Sequence, residues 1–130
     1  MDGKPLASAL RFAVLFHDQV AQPHYDFLLQ AEPASPLLTW RFPRWPITSQ
    51  AQVQRQSDHR TVYLDYEGPL SDGRGRVKRV DAGVCQILHL TPDRVEAMLT
   101  PTGGAPVQIT LWLIDRDNWT ATFQKRQAEA

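Results

Sequence analysis

The chain reads first as a succession of short alternating runs. In "RFAVLFH" (11–17), Phe12, Val14 and Phe16 fall on one side, and Arg11, Ala13, Leu15 and His17 on the other. That period of two predicts a strand. "HYDFLLQ" (24–30) is a second run, bounded by Pro23 and by "AEPASP", and "PLLTWRF" (36–42) is a third, closed by "PRWP". "AQVQRQ" (51–56) and "TVYLDYEG" (61–68) predict two strands around a turn at "SDHR". "GRVKRVDAG", "VCQILHL", "VQITLWLID" and "WTATFQK" complete the set, punctuated by Gly, Asp and Pro. Only "LTPDRVEAMLTPTGG" carries helix signals. Thr91 suits an N-cap, Pro92 the first helical position and Asp93 the positive end, while Pro101 and Gly103 stop the run. Val95, Met98 and Leu99 then form an apolar stripe for packing. Many short strands and one short helix predict a mainly all-β fold, a small antiparallel β-barrel forming a single domain over 1–130. Residues 1–8 and 125–130 are expected to fray.

Composition changes this picture little. With 130 residues the chain is long enough to bury roughly two-thirds of its unfolded surface without staples. A hydrophobic content of 42% and a charged content of 22% describe an ordinary globular protein. "LASALRFAVLF" is interrupted by Arg11 and no cleavage site follows, so no secretory signal is read. No apolar run is long enough for a membrane helix. The lone Cys85, in "GVCQIL", is expected to be a small buried residue. Together these predict a cytoplasmic location. Net charge is zero, yet "RGRVKR" (74–79) holds four cations in six residues. It reads either as a solvated strand edge or as a contact to phosphate.

Candidate chemistry sits in "HDQVAQPHYDFLL" (17–29). On a strand, Tyr25, Phe27 and Leu29 make the core face and His24, Asp26 and Leu28 the other. His17, ending the preceding strand, reaches the same place across the turn. Two imidazoles and a carboxylate offer a three-point face for a divalent metal such as manganese or zinc. A surface histidine bonded to an aspartate is the plain alternative. In "DHRTVYLDYEG" (58–68), His59 and Tyr63 share a strand face if the run is regular. That pair can bind a phosphate oxygen or protonate a leaving group, or be a turn histidine and a packing tyrosine. His89 reads as a strand-end core histidine. Trp40 and Trp45 either stack on a base or pack at the barrel rim, and Asp65 and Glu67 take turn and hydrogen-bonding roles.

In order and separation, "RFAVLFHDQVAQPHYDFLLQ", "TWRFPRWP" and "DHRTVYLDYEGPLSDGRG" resemble the 3′-phosphoesterase module of bacterial DNA ligase D. "HYDF" and H-x3-Y-x-D-[FY]-E-G are the most specific pieces, and the likeness runs from about Arg11 to Phe123. The resemblance implies a β-barrel whose crater holds a divalent metal, typically manganese. It implies an enzyme that trims 3′-ribonucleotides and 3′-phosphates from DNA ends during repair. Metal ligands would fall on His17, His24 and Asp26, and the phosphate-contacting, acid–base pair on His59 and Tyr63. Partners would be the 3′ ends of a DNA primer–template, with ligase and polymerase acting in trans. The chain departs from the pattern where Leu28 replaces an arginine, where Ala51 falls at a second arginine position, and where "SDG" (71–73) replaces "PEG". His17 and His24 are also one residue further apart. Arg41, Arg44 or Arg55 would have to stand in. Arg55, nearest His59 in sequence, is expected at the catalytic position and Arg41 as a phosphate contact. Loss of the arginines leaves two alternatives: a metal-loaded binder of phosphate ends without turnover, or a hydrolase of small phosphoesters.

Overall fold

A computed structural model describes residues 9–125; the termini expected to fray lie almost wholly outside them. The strands are β1 (Leu10–Asp18), β2 (His24–Leu29), β3 (Leu37–Phe42), β4 (Gln50–His59), β5 (Gly68–Pro69), β6 (Arg76–Thr91), β7 (Arg94–Pro101), β8 (Val107–Asp115) and β9 (Asn118–Lys125). They form one antiparallel sheet in the order β1-β2-β3-β4-β9-β8-β7-β6-β5, and pairing of β1 with β6 closes it into a ring. The all-β barrel expected from the alternation is therefore present.

The ring fills with the inward residues of its strands. Phe12, Val14, Phe27, Leu29, Trp40, Phe42, Val53, Val95, Ala97, Leu99, Ile109, Leu111, Trp119 and Ala121 form the main core. Phe27 lies at its aromatic centre, with Phe12, Trp40, Phe42 and Trp45 all within 6.2 Å between ring centroids. Trp45 also donates its indole N–H to Asp81 Oδ2 at 3.0 Å. Both Trp40 and Trp45 thus pack rather than wait for a base. Cys85 is buried as expected, and burial pushes its thiol up to about 11.

Three elements differ from the sequence expectation. No helix occupies 91–101: Thr91 ends β6, Pro92 and Asp93 turn the chain, and β7 follows. The Thr91 hydroxyl donates to Asp93 Oδ1 at 2.9 Å, the same local bond that serves a cap or a turn. Val95, Ala97 and Leu99 are buried as an alternating set, while Met98 points away. The i, i+4 pair Val95 and Leu99 satisfies both periods, so it could not decide between them. Secondly, "TVYLDYEG" is not a strand. β4 continues through "SDH", and Thr61–Leu64 form a single 3₁₀ turn that buries Leu64. Thirdly, β6 runs unbroken for 16 residues where two strands were expected. Gly83 does not break it: a Cβ there would lie 2.1 Å from the Thr100 carbonyl, because β1 and β7 flank Gly83 on either side. His89 is exposed on this strand rather than in the core.

A second, smaller core lies on the other face of β1 and β2. Ala13, Leu15, Leu28, Leu37 and Val77 are covered there by Leu64, with Tyr63, Tyr66 and Leu70 against them. Arg79 ties this cover down by donating to the Leu64 carbonyl at 2.8 Å, and Arg11 pairs with Asp65 at 2.7 Å. This second core is the floor of the candidate site.

Candidate metal centre

Register brings the candidate ligands together. In the β1–β2 pair, His17 lies directly across from His24 and Leu15 across from Asp26. In β2–β3, Asp26 lies across from Arg41, and in β3–β4 Thr39 lies across from Gln56. Directly opposed residues share a face. Hence His17, His24, Asp26, Arg41 and Gln56 all project from the face that carries the second core.

Donor atoms of His17, His24 and Asp26 lie within 4.8 Å of one another. His17 Nδ1 is 3.8 Å from Asp26 Oδ2, and His24 Nε2 is 3.5 Å from Asp26 Oδ1. His24 and Asp26 are both buried. The main chain sets the imidazole tautomers. His17 Nε2 lies 2.6 Å from the Arg74 carbonyl, and His24 Nδ1 lies 2.9 Å from the Gln22 carbonyl. A carbonyl oxygen only accepts, so each of those nitrogens carries the hydrogen. The lone pairs of His17 Nδ1 and His24 Nε2 are thereby aimed toward the same carboxylate.

Lone pairs converging on a carboxylate repel one another unless a positive species lies between them. His24 Nε2 is buried and has no hydrogen-bond partner. Its pKa is raised, chiefly by interaction with Asp26, with burial opposing and the Gln22 carbonyl assisting. The donor set of two neutral imidazoles and one carboxylate suits zinc or manganese. Ligands around such an ion stand about 3–3.5 Å apart, given metal–ligand distances near 2.1 Å; the two separations to Asp26 are already close to that. Carbonyl partners on the far ring nitrogens are the usual outer support of metal-binding histidines. The residues fit a divalent cation.

Beside the triad is a hollow of about 150 Å³, lined by His17, Asp26, Arg41, Gln56, His59, Tyr63 and Arg74 among others. His59 and Tyr63 meet although they do not share a strand: β4 ends at His59, the 3₁₀ turn carries Tyr63, and their rings are 5.5 Å apart, edge to face. His59 Nδ1 lies 3.1 Å from both the Ser57 carbonyl and Thr39 Oγ1. Thr39 Oγ1 donates to the Leu37 carbonyl at 3.1 Å. By the same logic His59 carries its hydrogen on Nδ1 and keeps Nε2 as its acceptor.

The arginines sort by face. Arg41 lines the hollow, and its Nε is buried without a partner. Arg55 does not reach it, contrary to expectation. It lies opposite Trp40 in the ladder, stacks its guanidinium 4.9 Å from the Trp40 ring centre, and bonds the Thr39 carbonyl and Asp58. Four residues apart, Arg55 and His59 would share a face of a regular strand; the register irregularity between Leu37 and Thr39 puts His59 on the face of Gln56 and leaves Arg55 on the other. Arg44 is exposed, 3.5 Å from the Gln50 carbonyl. Leu28 is fully buried in the second core, and Ala51 faces the barrel interior. An arginine at position 51 would therefore point away from the hollow.

Two contributors were missed in the sequence. Gln56 is marked only by its register. Arg74 stands in "RGRVKR", but its part is played by its carbonyl, which the flanking Gly75 positions. Gly75 has φ +82°, and a Cβ there would lie 2.3 Å from the Asp18 carbonyl. The rest of that run divides: Val77 is buried, Arg79 straps the cover, and Arg76 and Lys78 are exposed.

No protein-family model matches the chain, and no curated protein matches it. No helix among the described residues is long and apolar enough to cross a membrane.

Proposed function

We propose that the protein is a metal-dependent 3′-phosphoesterase that removes 3′-phosphates and 3′-ribonucleotides from nucleic-acid ends. One observation carries this reading: a His17–His24–Asp26 triad with His24 and Asp26 buried, its lone pairs pre-aimed by backbone carbonyls, opens onto a phosphate-sized hollow that also holds Arg41, His59 and Tyr63. The likeness to the ligase D module supplies the substrate class and favours manganese.

A bound divalent cation supplies Lewis-acid polarisation of a phosphoryl oxygen. Arg41, with a buried Nε in need of an acceptor, holds a non-bridging oxygen and replaces the arginine absent at Leu28. The Tyr63 hydroxyl donates to a second. His59 Nε2 accepts a proton from the attacking water and returns it to the departing 3′ oxygen, while the Ser57 carbonyl stabilises the imidazolium between those events. Gln56 orients the phosphate by its side-chain amide. The substrate is the 3′ terminus of a primer–template, and the location is the cytoplasm.

The test is a primer–template bearing a 3′-phosphate or 3′-ribonucleotide, incubated with manganese. Trimming that disappears in His17→Ala and falls about tenfold to a hundredfold in Arg41→Gln supports the reading, since a charge-assisted bond is worth about 1.5–3 kcal/mol. Manganese binding without trimming favours the second reading, a phosphate-end binder without turnover. The burial of Leu28 and the turning away of Arg55 support that alternative, since among the described residues they leave Arg41 as the one strand arginine lining the hollow.

A further inference from the structure

The phosphate-sized hollow does not stand alone. Tyr63, Leu70 and Arg74 also wall a second depression of about 470 Å³, completed by Arg60, Tyr66 and Pro69. Its character differs from the hollow. The Arg60 guanidinium lies 5.7 Å from the Tyr63 ring centre, and the Tyr63 and Tyr66 rings meet edge to face at 5.8 Å. Arg60 and Arg74 are exposed, and none of the described residues lining the depression is acidic. On the opposite flank, past Arg41 and His24, the walls are mainly amides, Gln22, Gln52, Gln54 and Asn118, with no Phe, Tyr or Trp among the described lining residues. Of the two flanks, the one walled by Arg60, Tyr63 and Tyr66 is the one that carries tyrosine rings.

An aromatic platform with an overlying guanidinium binds planar π-systems and tolerates any base, because every base has a face to stack. Nothing in the metal chemistry requires Arg60 or Tyr66. Resting on the phosphoesterase reading, we infer that the depression walled by Arg60, Tyr63 and Tyr66 holds the base of the nucleotide that carries the 3′-phosphate. The substrate is then a nucleotide terminus rather than any accessible phosphomonoester. Arg74, whose guanidinium is held by Ser71, borders both hollows.

The inference is tested with two single-stranded oligonucleotides ending in a 3′-phosphate, identical except that one carries it on an abasic terminal nucleotide. With manganese present, phosphate release from the abasic substrate is expected to be about tenfold lower in kcat/KM, within the range that stacking on an aromatic confers. Arg60→Ala and Tyr66→Leu are expected to lower release from the normal substrate and leave the abasic one unchanged, with manganese affinity intact. Equal release from both substrates overturns the inference while leaving the phosphoesterase reading standing. If neither substrate is turned over, that reading fails, and anisotropy of the manganese-loaded protein with the same two oligonucleotides decides the inference separately. A tenfold preference for the base-bearing end supports it, and equal affinity overturns it.

Discussion

The two faces of the β1–β2 hairpin are equally dry and built on opposite terms. The inner face buries Phe12, Val14, Phe27 and Leu29 among other rings and aliphatic chains, with no charge to satisfy. The outer face buries His24 and Asp26 beside Leu28, and leaves Nε2 of His24 without a partner. One strand therefore contributes to stability through its odd-numbered positions and to chemistry through its even-numbered ones. Damage to the first should unfold the protein, and damage to the second should disarm it while leaving it folded.

The largest effect is expected on the inner face. Phe27→Ala removes the ring shared by Phe12, Trp40, Phe42 and Trp45, and should cost about 3–5 kcal/mol in urea denaturation. On the outer face, Asp26→Asn should weaken manganese binding, read by calorimetry, by more than about a hundredfold, beyond the range seen when only a ligand's supporting partner is lost. A cooperative unfolding transition should survive. Were Asp26→Asn to unfold the protein as Phe27→Ala does, the division of labour between the faces would be wrong.

Gly75→Ala tests whether the support is separable from the ligands. A Cβ would collide with the Asp18 carbonyl, so the turn must shift and carry the Arg74 carbonyl away from His17. Manganese affinity should fall about tenfold to a hundredfold with every ligand still present. Wild-type affinity in this variant would show that the carbonyl does not orient His17.

The next prediction concerns pH. Asp26 raises the folded-state pKa of His24 above its ordinary 6.5. The folded state therefore binds a proton more tightly than the unfolded chain. The resulting stabilisation is complete below pH 6.5 and fades as pH rises through the raised value. Metal-free protein should accordingly melt at a higher temperature at pH 6 than at pH 8, and Asp26→Asn should flatten that difference. Manganese binding should run the other way, weakening as acid protonates Nε2. The smallest effect belongs to Arg11→Ala, whose pair with Asp65 is largely solvated and should contribute less than about 1 kcal/mol to thermal stability.

Much of this division was legible beforehand. A period of two in "HYDFLL" separates Tyr25, Phe27 and Leu29 from His24, Asp26 and Leu28 whatever the partner strands do. Convergence of His17 needed only a short turn. What stayed hidden depended on pairing between strands. Arg41 and Arg55 are both arginines on neighbouring strands, and only the pairing turns one toward Asp26 and the other toward Trp40, while the irregularity between Leu37 and Thr39 brings His59 to the face of Arg41. The false helix had a different cause: Thr, Pro and Asp begin turns and helices by the same local bonds, and Val95 and Leu99 fit either period. The 3₁₀ turn at Thr61–Leu64 escaped notice because a four-residue element has no repeat to detect.

All three histidines of the site take their orientation from peptide oxygens: Arg74 for His17, Gln22 for His24 and Ser57 for His59. A peptide oxygen survives replacement of the side chain beside it. The neighbours of these imidazoles can therefore drift widely over evolutionary time while the rings keep their aim, so the chemistry of such a centre can outlast the similarity by which kinship is ordinarily traced.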